Sequence, residues 1–368
     1  MALAITGLGM ISNVGWDAVT ACASIRAGLT RPRPLPGFTV LDEETQAPVP
    51  LKGHPLHGYT EGFGPLARWM RLAEGALDDL LRQRRVPGPE DSAFWSRTRL
   101  ICITPLLDAE RFFEVRQAGA DGVKKAYAQL LLGRMSKRIP VQEPRLLDLG
   151  HAGLAAALQE AEEGIARAEA ERYLLVATDS YLDVYTLEWL AGRRRLKTES
   201  NPVGLMPGEA GACLLIESMA SARRRGVPVE AVVESAAVAR WPDDGAPRNI
   251  AGMGAGLAQA VRAVLKGPPA GRRFEGDVIT DLNGEVWRAS AWGHARVRLS
   301  ETMGERVRLV TFCDSIGEVG ASSGAVAACI ATRSFARRYA SSPRCLVVTS
   351  SEDGLAGCVL VRAMGERT

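Results

Sequence analysis

Four short stretches of this sequence carry side chains able to do acid–base or nucleophilic work. His151 stands in Asp148-Leu149-Gly150-His151-Ala152-Gly153-Leu154, where a small-residue helix pattern begins. An imidazole there is a candidate nucleophile or base, since its proton exchanges near neutral pH. The plainer reading, which the pattern favours, is a histidine that caps the helix start by hydrogen bonding. Asn283 lies in Ile279-Thr280-Asp281-Leu282-Asn283-Gly284-Glu285, and Glu318 lies in Ser315-Ile316-Gly317-Glu318-Val319-Gly320, five residues beyond Cys313. Glu318 and Asn283 could form a hydrolytic pair; the alternative is two polar residues that fill a pocket or bond loop amides. Glu352 and Asp353 add carboxylates in the stretch 349–357.

The elements that must position these residues alternate between strand and helix. Short apolar runs at 3–6, 100–104, 173–178, 212–216, 229–235, 278–281 and 345–349 read as strands covered on both faces. Helical spacing marks 16–27, 66–82, 153–168, 256–265 and 324–336, and the Pro- and Gly-rich stretch 29–59 reads as a surface excursion. The pattern predicts an α/β architecture. An internal echo supports two similar halves, 1–225 and 226–368: Arg172-Tyr173-Leu174-Leu175-Val176 and Arg344-Cys345-Leu346-Val347-Val348 each follow a Gly-rich turn and a small-residue helix. Gly252-Met253-Gly254-Ala255-Gly256 lacks the full dinucleotide fingerprint and a suitable preceding strand, so it reads as a helix start.

The bulk properties exclude several classes. With 368 residues, 46% of them apolar and 24% charged, the chain can bury a large core. Lys and Arg number 45 against 42 Asp and Glu, a net charge of +3. Clusters such as 193–195 and 223–225 read as solvated helix ends, and no single-sign patch suggests nucleic acid. No run approaches the ~18 apolar residues of a membrane span, and the first residues lack a secretory pattern, so a cytoplasmic protein is expected. The seven cysteines, 22, 102, 213, 313, 329, 345 and 358, are odd in number and widely spaced, which predicts reduced core thiols without a disulfide frame or metal site.

Three segments together resemble the β-ketoacyl synthases. Ile5-Thr6-Gly7-Leu8-Gly9-Met10-Ile11-Ser12-Asn13-Val14-Gly15 is similar to that family's opening strand and loop. The run from Trp189-Leu190-Ala191 through Asn201-Pro202-Val203-Gly204-Leu205-Met206-Pro207-Gly208-Glu209-Ala210-Gly211-Ala212 resembles the segment that ends in P-G-E-G-A. Ser315 to Gly324 resembles the Gly-rich loop that carries a catalytic histidine, whereas 29–145 matches poorly. The resemblance implies a thiolase-like fold of two duplicated α/β halves in five αβαβα layers, with no cofactor or metal. It also implies a Cys nucleophile at a buried helix start, two histidines, and an oxyanion hole.

At those positions the chain departs from the family. Aligned on Gly153-Leu154, the nucleophile falls on Gly150, or on His151 with a one-residue shift; the first histidine falls on Asn283, the second on Glu318, and the lysine five residues before it on Cys313. Pro207-Gly208-Glu209 reads as a structural turn, its Glu holding backbone or a neighbouring residue.

Three functions fit. The first is a non-condensing ketosynthase-like scaffold, adaptor or partner subunit, in a biosynthetic complex or secretion machinery. The second is an acyl-binding or acyl-transfer enzyme of fatty acid or polyketide metabolism that works through His151, Glu318 and Asn283. The third is a condensing enzyme whose nucleophile is Cys102, Cys213, Cys313 or Cys329. The first predicts a filled pocket, the second an open one of a few hundred Å³ leading to His151. Expected partners are a second copy or a thiolase-fold relative, an acyl carrier protein, or a secretion-associated protein. By the resemblance, 100–105 would run along the dimer interface, and 108–138 would cover the tunnel mouth.

Overall fold

The computed structural model describes residues 1–42, 44–241, 250–266 and 273–365. The first half runs β1 (Leu3–Ser12), α1 (Ala18–Arg26), β2 (Arg33–Leu41), β3 (Pro48–Gly53), α2 (Pro65–Arg82), α3 (Ser92–Ser96), β4 (Thr98–Ile103), α4 (Phe113–Met135), β5 (Arg145–Leu147), α5 (Gly153–Ala166), β6 (Arg172–Ser180), α6 (Val184–Gly192), β7 (Glu209–Ser218) and α7 (Met219–Arg225). The second runs β8 (Ala231–Arg240), α8 (Ile250–Val264), β9 (Phe274–Thr280), α9 (Val286–Arg298), β10 (Met303–Thr311), α10 (Cys313–Ile316), α11 (Ser323–Ala336), β11 (Arg344–Ser350) and β12 (Leu355–Ala363).

The sheet order is β10-β9-β11-β12-β8-β1-β7-β6-β4-β5. Numbered within its own half, each set of five strands follows the order 3-2-4-5-1. Each has the same polarity, antiparallel across its first, fifth and fourth strands and parallel across its fourth, second and third. The weak sequence echo is thus a full topological repeat. The halves meet where Leu3, Ala4 and Ile5 pair antiparallel with Val233, Val232 and Ala231.

The strands are apolar on both faces because helices cover both. On β6, Tyr173, Leu175 and Ala177 face a core shared with α5 and α11, while Leu174 and Val176 face α2 and α4. On β11, Cys345 and Val347 join the same central core, while Leu346 and Val348 pack under α8 and α9. Outer helices, sheet, middle helices, sheet and outer helices make the five layers. α5 and α11 fit between the sheets because they are rich in Gly and Ala: a Cβ on Gly324 would stand 2.7 Å from Leu154 Cβ.

Two local expectations need correction. β4 is flanked by β5 and β6, so the segment 100–105 has no free edge; the open edge of this half is the short β5. The stretch 29–59 contains the hairpin of β2 and β3, which buries Leu35 and Leu51 against Leu182, Leu187 and Leu190. Gly252 to Gly256 fall in the first two turns of α8, in keeping with a helix entry. There, a Cβ on Gly254 would stand 2.5 Å from His294 Cβ, so the small residue serves close packing of α8 on α9.

Candidate functional site

His151 comes from the 3-10 turn Gly150–Ala152 that opens α5, and Glu318 from the loop before the matching turn Gly320–Ser322 that opens α11. Gly150 (φ 52°) and Gly320 (φ 50°) both take the left-handed conformation that glycine adopts without a steric penalty. Asn283 lies between β9 and α9, and Cys313 begins α10.

Three of the four candidate positions converge. His151 Nε2 is 2.9 Å from Glu318 Oε1, and the Asn283 amide donates to Glu318 Oε2. The Gly320 N–H donates to Glu318 Oε1 at 2.8 Å. His151 is therefore no backbone cap: it faces a carboxylate, and α5 begins without a side-chain cap. Cys313 makes no side-chain hydrogen bond to this group. Its thiol is pushed well up by burial, with the Glu318 and Asp281 charges adding to the effect.

The centre of the cluster is Arg288, which the sequence reading did not single out. Its guanidinium is 1% exposed and donates to Asp281 Oδ2 (2.8 Å) and to the Ser350 carbonyl (2.6 Å). Its Nη2 lies 3.0 Å from His151 Nε2 and 3.5 Å from Glu318 Oε2. Arg195, expected at a solvated helix end, instead points inward. It forks onto Glu285 at 2.7 and 3.0 Å and reaches Glu352 at 2.7 Å. The available signal was spacing, since Asp281, Glu285 and Arg288 fall four and three residues apart where β9 passes into α9.

Burial alone would raise the Glu318 carboxyl, but His151, Arg288 and the Gly320 amide outweigh it and hold the group well below the usual carboxylate range. Glu352 is also held low: burial opposes ionisation, and Arg195 reverses it. Each of the carboxylates here is paired with an arginine. Two arginines face Asp281, Glu285, Glu318 and Glu352, an arrangement poorly suited to stabilising a second, developing anion.

The P-G-E turn fixes the cluster in place. Glu318 N donates to the Met206 carbonyl at 2.8 Å, and Gly208 N donates to the Glu318 carbonyl at 3.0 Å. A Cβ on Gly208 would collide with the Ile316 carbonyl, so only glycine allows this approach. The fully buried Glu209 accepts from Leu56 N (2.9 Å), Ser180 Oγ (2.9 Å), Arg68 Nη1 (3.1 Å) and the Thr60 hydroxyl. This is the structural role expected of that turn.

Outside the cluster, a cavity of about 300 Å³ reaches Gly150 and His151. Glu352, Asp353, Trp189 and Arg193 line it, as do Asp108, Glu110 and Arg111 from the segment expected at a tunnel mouth. The residues of α4 do not. Arg111 is held by Asp179 Oδ1 at 2.7 Å and lies 3.9 Å over the Tyr181 ring. Glu318 lies behind His151, whereas Glu352 and Asp353 face the cavity, Asp353 paired with Arg240 at 3.3 Å. The filled pocket expected of a pure scaffold is therefore not what the structure shows. All seven cysteines are buried, and none lines this cavity.

No family model matches the sequence, and no curated protein matches it significantly. Solved structures do. A type II polyketide-synthase acyl-carrier protein in complex with its ketosynthase is similar, with TM-score 0.75, 15% identity, and coverage of 99% of both chains. So are the ishigamide ketosynthase/chain length factor (TM-score 0.70, 18% identity, 99% of this chain and 100% of that one) and a β-ketoacyl synthase from Burkholderia phymatum (TM-score 0.70, 16% identity, 99% of both). The fold is that of the thiolase-like ketosynthases. Among the described residues no helix is long and apolar enough to cross a membrane.

Proposed function

We propose that this chain is a non-condensing member of the ketosynthase fold that serves as a partner subunit or adaptor in an acyl-chain-building or secretion assembly. The observation that carries this reading is the buried Arg288–Glu318–His151–Asn283 cluster. Where the resemblance places a thiolate and two histidines, the chain holds an ion-paired block which, with Arg195, Asp281, Glu285 and Glu352, sets two arginines against four carboxylates. The block supplies neither nucleophile nor anion stabilisation. The ketosynthase/chain length factor among the similar structures fits a partner role, and the open β5 edge is available for pairing with another thiolase-fold chain. The cavity at His151 would hold an acyl or pantetheine arm, or a partner segment, without turning it over.

A specific observation favours a second reading. The cavity reaches His151, and His151 contacts a carboxylate, so an acyl transfer or hydrolysis in which His151 acts with Glu318 has both its group and its space. Intact-protein mass spectrometry after incubation with acyl thioesters and a cysteine-directed condensing-enzyme inhibitor separates the readings. The partner reading expects no adduct and no thioester turnover, with a thiolase-fold or carrier protein co-purifying. An adduct or turnover abolished by His151→Ala would establish the second.

A further inference from the structure

A second cavity lies between α1 and the C-terminal turn of α11, and its electrostatics differ from those at His151. Its volume is about 510 Å³; Arg26, Arg333 and Arg337 line it together with Val19, Cys22 and Tyr339. No carboxylate among the described residues lines it. Unlike Arg111, Arg195 or Arg288, each of which holds a carboxylate, these three guanidiniums make no ion pair or hydrogen bond among the described residues. The contact of Arg26 is with the Tyr339 ring, 4.0 Å away.

Arginines at helix ends have an ordinary explanation, because they complement the helix dipole. Arg26 ends α1, Arg333 lies in the last turn of α11, and Arg337 is its C-cap residue. That accounts for each singly. It does not account for three cations around one concavity, where their mutual repulsion remains. An adjoining cavity shares Val19 and Arg333 and contains Asp17, Asp79 and Glu230, but each of these carboxylates is already engaged. Asp17 caps α1, Asp79 accepts from Met10 N and Ala18 N, and Glu230 pairs with Arg85.

We propose that the α1–α11 cavity binds an organic phosphate. Guanidinium forks match phosphate oxygens, three of them suit a ligand of more than one negative charge, and the apolar wall suits its organic part. The volume lies within the range of roughly 300–1,000 Å³ usual for small-molecule sites. The site is separate from the one at His151: the two cavities share no lining residue. α11 runs ten residues from its start beside the Gly320–Ser322 turn to Arg333, a rise of about 15 Å. The proposal does not depend on whether the chain is a partner subunit or an enzyme.

Isothermal titration calorimetry of the full chain with pyrophosphate, ADP, adenosine and poly-glutamate tests it. Pyrophosphate and ADP should bind and adenosine should not. The double variant R333Q/R337Q should weaken ADP by at least about tenfold, as expected for lost charge-assisted hydrogen bonds. R26Q should weaken it as well, while R167Q, at an exposed i,i+4 pair elsewhere, should leave it unchanged. The substituted side chains are at the surface or helix ends, and an unchanged melting curve checks the fold. Absence of ADP binding, or equal affinity in wild type and R333Q/R337Q, would overturn the proposal. Arginine-dependent binding of poly-glutamate without ADP would overturn the ligand class in favour of an acidic protein.

Discussion

Glu318 Oε1 lies 2.9 Å from His151 Nε2, and the same nitrogen lies 3.0 Å from the Arg288 guanidinium. A guanidinium only donates and an ionised carboxylate only accepts, so Nε2 cannot satisfy both at once. With Glu318 ionised, Nε2 carries the proton toward Glu318, and Arg288 takes up the other carboxylate oxygen at 3.5 Å. Glu318→Gln removes the charge that holds this set together. It should cost about 3–5 kcal/mol, the usual penalty for breaking a buried pair from one side, read by urea unfolding at pH 7. A cost below about 1 kcal/mol would show that the cluster is not a coupled unit.

The acid limb of stability should carry the same carboxyl. Its folded pKa is depressed, so its contribution is complete above the unfolded value of about 4.3 and is lost as pH falls from there toward the folded pKa. Below about pH 4 the wild type should therefore lose its advantage over E318Q, and the two unfolding curves should converge.

His54 gives an acid limb at higher pH. Its ring is 1% exposed, Nδ1 faces the Asn13 amide at 3.0 Å, and burial lowers its pKa from 6.5 to about 4. The unfolded chain therefore takes up a proton between those values that the folded chain refuses. Stability should fall as pH drops from about 6.5 to 4, by up to about 3 kcal/mol in all. His54→Asn should flatten that slope; an unaltered slope would assign it to other groups.

Gly208→Ala places a methyl against the Ile316 carbonyl and pushes apart the turn that pins Glu318. A loss of about 1–3 kcal/mol is expected, as for overpacking elsewhere, with a smaller coupling between Glu318 and His151 in a double-mutant cycle.

The thiols should be inert while the chain is folded. Burial raises Cys22 and Cys102 to about 12 and pushes the other five up as well, so little thiolate forms near neutral pH. Iodoacetamide at pH 8 should label none of them in the native protein and all seven after unfolding. Rapid native labelling of one would identify a reactive thiol and revive a condensing role.

Most of the buried strands, though not β12, were readable because helices cover both faces and leave continuous apolar runs, as at Tyr173 to Thr178 and Cys345 to Thr349. β10 was not, because it is a sheet edge whose Glu305, Arg306 and Arg308 interrupt any apolar run. α4 escaped because Gly119, Gly122 and Gly133 weaken its pattern, and Gly119 breaks its helical conformation outright. At the site, His151, Asn283 and Glu318 were legible through their loops. Arg195, just beyond α6, and Arg288, on α9, were not: an arginine that points to solvent and one that crosses a core have the same local sequence, and only the tertiary fold tells them apart.

The turns Gly150–Ala152 and Gly320–Ser322 occupy the same place in the two repeated halves. One presents His151 at its second residue; the other presents Ala321 there and supplies Glu318 from just upstream. Two topologically equivalent loops are thus unlike partners, one bringing the imidazole and the other its counter-charge. Neither half carries the pair alone, so the site exists only where the two halves meet, and a substitution in one loop has no counterpart in the other.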